Sequence, residues 1–160
     1  MAAGSPAALD LPLQQKDNPI VRENKKQGST DWQLTRVRFD SGKHRSPFIE
    51  GYCSRQSVKA GETIDIMVSV SSNDRFKLEI FRTGYYGGTG ARLMKTFESV
   101  EGFEQPTPEP GTDTNIHECK WKPSVSLTIP NDWLSGVYLG RLTTLPKSTD
   151  APYWQSYIIF

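Results

Sequence analysis

The sequence predicts an all-β protein, an Ig-like or fibronectin-III-like antiparallel β-sandwich of about seven strands with its core over residues 48–160. Three observations carry that expectation. Apolar and polar residues alternate with period two in several short runs. Turn-forming Gly, Pro, Asn and Asp separate those runs. No stretch shows a convincing amphipathic helical period.

The elements follow in chain order. Residues 1–30 are rich in Ala, Pro, Gln, Asn and Lys without a sustained period, and read as an extended or disordered leader or linker before a domain at 31–160. Trp32-Gln33-Leu34 opens a short strand ending near Phe39, and Asp40-Ser41-Gly42-Lys43 is a turn by residue type. The pattern is consistently β from Phe48. A Lys59-Ala60-Gly61-Glu62 turn leads into Ile64, Ile66, Val68 and Val70, where only Met67 interrupts the polar face. After Ser72-Asn73-Asp74, Phe76, Leu78 and Ile80 alternate with Lys77, Glu79 and Phe81. Ala91–Phe97 reads as another short strand, then Val125, Leu127 and Ile129 as the next, stopped by Pro130. Gly136–Leu142 begins with the Gly-x-Tyr order of a tyrosine corner, in which a Tyr hydroxyl bonds back to nearby backbone. Tyr157–Phe160 is the last strand.

With 160 residues the chain is long enough for one domain with its own core, and its net charge of +1 creates no global field for nucleic acid or membrane. The charge is uneven, however. Residues 22–45 carry seven cations against three carboxylates, whereas residues 98–118 carry six carboxylates and no cation. That acidic, Pro-rich excursion is longer than a typical hairpin loop. No window holds the ~18 apolar residues of a membrane span. Met1–Ala8 lacks the basic start and apolar centre of a signal peptide, and looks like what remains after one is removed and a Met supplied, a lean to an extracytoplasmic origin. Cys53 and Cys119 are the two cysteines, compatible with one disulfide or with separate buried thiols, Cys119 beside the core tryptophan Trp121.

The segment Arg82-Thr83-Gly84-Tyr85-Tyr86-Gly87-Gly88-Thr89-Gly90-Ala91-Arg92 is the strongest local signal. Four glycines and paired tyrosines combine backbone freedom with amphipathic rings, a composition suited to contact. It is not a phosphate cradle: Thr89 stands where a P-loop needs its second Gly, and Ala91-Arg92-Leu93 breaks a GxGxxG pattern. Catalytic constellations are thin. His117 and Cys119 share one strand face, but no second pair with zinc-like spacing and no orienting third group accompany them. The contact candidates are Arg82, Tyr85, Tyr86, Arg92, Trp133 and Trp154, with no catalytic or metal-ligating residue among them.

Several motifs together resemble a known family. They are Asn18–Asn24, Ser29–Leu34, Ile49–Tyr52 with Ser57-Val58, Phe81–Arg92, Trp121–Ser124 and Ile129–Leu139. Over residues 18–160 the chain resembles the N-terminal region of large bacterial proteins related to the N,N-dimethylformamidase large (β) subunit. The resemblance implies an Ig-like sandwich followed, just after Phe160, by a larger amidohydrolase domain that binds iron through its own residues. The abrupt apolar C-terminus fits a sequence that continues. No catalytic or iron-binding position carries over to this chain.

The function expected is a non-catalytic module that packs on and orients that catalytic domain, with other subunits as further partners. Tyr85 and Tyr86 make the contact, and Arg82 and Arg92 at the loop base pair with neighbouring carboxylates. One alternative is a carbohydrate- or cell-surface-binding module with Tyr85, Tyr86, Trp133 and Trp154 coplanar on one face. Another is an adhesin-like spacer.

Overall fold

The computed structural model describes residues 18–38, 40, 45–148 and 150–160. The Met1–Ala8 reading, most of the 1–30 leader, the end of the Trp32–Phe39 strand and most of the turn at 40–43 lie outside them. Seven strands form among the described residues: β1 (Ile49–Cys53), β2 (Thr63–Val70), β3 (Arg75–Thr83), β4 (Ala91–Val100), β5 (Val125–Thr128), β6 (Tyr138–Leu145) and β7 (Gln155–Ile159). They make two antiparallel sheets, ordered β1-β2-β5 and β4-β3-β6-β7. The protein is an all-β sandwich, as its alternation predicts.

Between the sheets lie Ile49, Ile64, Ile66, Val68, Val70, Phe76, Leu78, Ile80, Leu127, Leu142 and Ile158. These are the inward positions of the period-two pattern, and removing their surface from water is the main stabilising term at roughly 1.5–3 kcal/mol per side chain. The tyrosine corner forms as expected: Tyr138 Oη donates to the Leu134 carbonyl at 2.5 Å. Burial pushes the Tyr138 hydroxyl up to about 12 despite the nearby Arg82 charge. Trp133 stacks on Tyr138 at 5.0 Å between centroids, and Tyr138 on Phe160 at 5.4 Å.

Both outer faces are covered as well, which explains why burial does not alternate. Ser69 on β2, and Glu79, Arg141 and Thr143 on β3 and β6, are outward-pointing yet buried. Residues 103–122 cover the three-stranded sheet. Gln105 N donates to Ser69 Oγ at 3.0 Å, the Gln105 side chain donates to the Lys122 carbonyl at 2.7 Å, and Trp121 packs on Tyr52. The segment 18–36 covers the four-stranded sheet. It is no free linker: Pro19–Asn24 forms a six-residue helix, α1, with the Asn18 side chain capping Ile20 N at 2.8 Å and Pro19 at its first position. Residues 29–36 then run across the sheet without joining it, tied at Ser29 N to the Ala91 carbonyl (2.8 Å) and at the Arg36 carbonyl to Gln155 N (2.9 Å). The strand expected from Trp32 is therefore an extended strap held by single bonds and side chains. Arg141 pairs with Glu79 at 2.8 Å and donates to the Asp31 and Gln33 carbonyls beneath it.

Candidate functional site

The glycine-tyrosine loop closes the β3–β4 hairpin, with Gly84 N bonded to the Gly90 carbonyl at 3.0 Å. Its centre is a tight turn at Tyr86–Gly88. Tyr86 has φ +40° and Gly87 φ +67°, so the chain passes through the left-handed region that glycine tolerates and tyrosine resists. Tyr86 holds that geometry because its side chain is fixed from both ends. The ring is 2% exposed, while Tyr85 beside it is 70% exposed.

α1 supplies what the loop needs to bury Tyr86. Arg82 Nη1 donates to Tyr86 Oη at 3.0 Å, and Tyr86 Oη donates to Glu23 Oε1 at 3.1 Å. Arg92 grips the same carboxylate through Nε at 2.7 Å and Nη2 at 2.6 Å, and Lys26 Nζ holds its other oxygen at 2.7 Å. Burial by itself would raise the Glu23 carboxyl, but the bonds from Lys26, Arg92 and Tyr86 outweigh it and hold the group below its usual 4.5. Arg82 also donates to the Ser135 carbonyl at 2.7 Å and the Leu134 carbonyl at 3.4 Å. One network therefore joins the helix, the loop and the β5–β6 connection. Among the described residues no buried side-chain polar atom lacks a partner.

The strap continues the contact. Asn24 Oδ1 accepts from Tyr85 N at 2.9 Å, and Trp32 Nε1 donates to the Thr89 carbonyl at 2.8 Å. Gly28 crosses so close that a Cβ there would lie 1.8 Å from Thr89 Oγ1 and 2.7 Å from Tyr86 Cβ. Between α1 and the loop an open groove of about 800 Å³ remains, lined by Val21, Lys25, Lys26, Gln27 and Tyr85 among others. Tyr85 offers its ring there, and no carboxylate lines the groove.

The structure thus brings Arg82, Tyr86 and Arg92 together and leaves Tyr85, Trp133 and Trp154 outside that network. Arg82 and Arg92, expected to meet a neighbour's carboxylates, are engaged within the chain, because Glu23 and the Leu134–Ser135 carbonyls reach them first. Trp133 lies in the stack with Tyr138, and Trp154 stacks on Phe48 at 4.6 Å under the Arg36 guanidinium, so no common aromatic plane forms with the tyrosines. Cys53 and Cys119 are free thiols. Cys53 is half-buried, which pushes its thiol up to about 11, and Cys119 is exposed rather than buried beside Trp121. His117 bonds the Pro108 carbonyl at 2.8 Å and makes no site with Cys119. Sequence reasoning missed Glu23, Asn24 and Gly28. Asn18-Pro19 was a legible helix-start signal, but nothing local told which residues α1 would meet.

The sequence model of the family described as "N,N-dimethylformamidase beta subunit-like, C-terminal" matches residues 77–160, more than half the chain. The chain belongs to that family. The matched region is the family's C-terminal part, which corrects the N-terminal placement drawn from the motifs: shared residues identify a segment without saying where it sits in a longer chain. The match starts in β3 and takes in the whole glycine-tyrosine loop, while α1, β1 and β2 precede it. No protein of curated function matches the chain. Among the described residues no group of three or more His, Cys, Asp or Glu is placed to hold a metal ion. No helix there is long and apolar enough to cross a membrane.

Proposed function

We propose that this chain is a non-catalytic, Ig-like domain of a dimethylformamidase-like β subunit. In this reading it presents the corner formed by α1 and the glycine-tyrosine loop to another domain or subunit of the same assembly. The observation that carries the reading is the asymmetry of the paired tyrosines. Tyr86, Glu23, Arg82 and Arg92 build a rigid base, and on it stands Tyr85, a large ring 70% exposed beside an open groove. An exposed tyrosine on a fixed backbone suits a contact anchor, because its large ring turns about only two side-chain bonds that must be ordered on binding. The described side chains offer no nucleophile–base pair oriented by a third group, and the dispersed tryptophans weigh against a flat carbohydrate platform.

Two measurements test this. The chain with and without added iron should not hydrolyse a small amide such as N,N-dimethylformamide, and turnover would overturn the non-catalytic half. Hydrogen exchange in the complete assembly should show residues 20–27 and 84–90 better protected than in this chain alone. Equal exchange would overturn the docking half.

A further inference from the structure

The groove is as notable for its charge as for its ring. Arg92 and Lys26 hold the buried Glu23 carboxylate and Arg82 serves the chain's own carbonyls, so the cations the groove presents are Lys25 and the half-exposed Lys26. Its lining supplies apolar surface from Val21 and Tyr85, cations from Lys25 and Lys26, and no acid. On the opposite side of the sandwich, the excursion over the three-stranded sheet has the converse character. Residues 111–120 are all exposed, Glu109 and Asp113 give the tip its acid beside the Glu118–Lys120 pair at 3.7 Å, and Ile116 stands 63% exposed among them. The tip is internally formed rather than frayed, with Gly111 N bonded to the Ile116 carbonyl and Asn115 N to the Gly111 carbonyl, both at 2.9 Å.

We infer that the groove beside Tyr85 receives the acidic tip around Ile116 of a second copy of this chain. The inference rests on the reading of the loop corner as a docking surface and names its occupant. Within one molecule the two surfaces lie on the outer faces of different sheets, so the match is made between molecules. Ile116 fills the apolar part against Val21 and the Tyr85 ring, while Glu109 and Asp113 face Lys25 and Lys26. Because the two surfaces face opposite ways, the contact is head-to-tail and adds copies one after another. The surfaces are small and the charges solvated, which places the contact in the weak, salt-sensitive class.

Sedimentation of the protein from dilute solution to about 1 mM, the range in which weak contacts populate, tests this. The expected result is reversible association that added salt suppresses. Lys25→Glu and Ile116→Ser should each weaken it about tenfold, as loss of a complementary charge or an anchor does. Both positions are exposed, and an unchanged melting temperature certifies that the variants fold. Mixing Lys25→Glu with Asp113→Lys should restore the association that each variant weakens alone. A monomer throughout the range overturns the inference, as does association indifferent to both variants. Protection of 84–90 in the complete assembly without self-association would defeat this inference and leave the docking reading standing.

Discussion

Two segments cover the outer faces of this sandwich, and they do so by different means. The N-terminal strap, residues 18–36, is held by contacts to residues about 60 to 125 positions away, among them Glu23 to Tyr86 and Arg92, Trp32 to Thr89, and the Trp32 carbonyl to Tyr157 Oη. The excursion at 103–122 is fixed at its two ends, by Gln105 and Trp121, and between them bonds mainly to itself. The difference separates support from display. A cover whose charges are buried must be satisfied internally, because an unpaired buried charge costs several kcal/mol. A cover whose charges face water keeps them available.

The largest test of this contrast removes one carboxylate from each segment. Glu23→Gln leaves largely buried Arg92 and half-exposed Lys26 facing a neutral amide and should cost about 3 kcal/mol in denaturant unfolding. Glu118→Gln, whose partner Lys120 lies at 3.7 Å with both side chains largely exposed, should cost under about 1 kcal/mol. Equal losses would erase the distinction. Next in size, Gly28→Ala forces a Cβ against Thr89, Tyr86 and the Ala91 carbonyl and should cost about 1–3 kcal/mol. Gly111→Ala meets first the Thr114 hydroxyl at 2.9 Å, an exposed side chain held by one long bond from Ile116 N, and should be nearly neutral.

Acid sharpens the contrast further. Glu23 titrates below its unfolded value of 4.5, so its contribution is fully present above about pH 4.5 and is lost as pH falls through the folded value. Hydrogen exchange at Ser29 and Leu93, both bonded across the strap–β4 contact, should therefore accelerate below that pH before the β2–β3 core opens. Strap and core opening together would show that the strap is no separate unit. The mildest test leaves the fold untouched. With its thiol pushed up to about 11, Cys53 should react with a disulfide reagent at neutral pH more than about tenfold more slowly than exposed Cys119.

Much of the sandwich was legible because a strand's period-two pattern is local. Ile64–Val70 and Phe76–Ile80 announce themselves, and so does Tyr138 at its corner. β4 extends three residues beyond Phe97, since pairing with β3 continues to Val100 through positions of no clear period. The strap was not legible as a folded element. Its backbone makes isolated bonds rather than a ladder, so it carries no period, and its buried glutamate reads like any surface carboxylate.

The residues by themselves determined the fold class, the strands of clear period two, the family and the site of the unusual loop. Those properties reside in short-range alternation, turn chemistry and motif. Only the tertiary structure decided that Tyr86 turns inward and Tyr85 outward, and that Arg82 and Arg92 serve the chain's own interior. The reason is that the choice between two adjacent tyrosines depends on a carboxylate more than sixty residues earlier, brought beside the loop when the strap crosses the sheet.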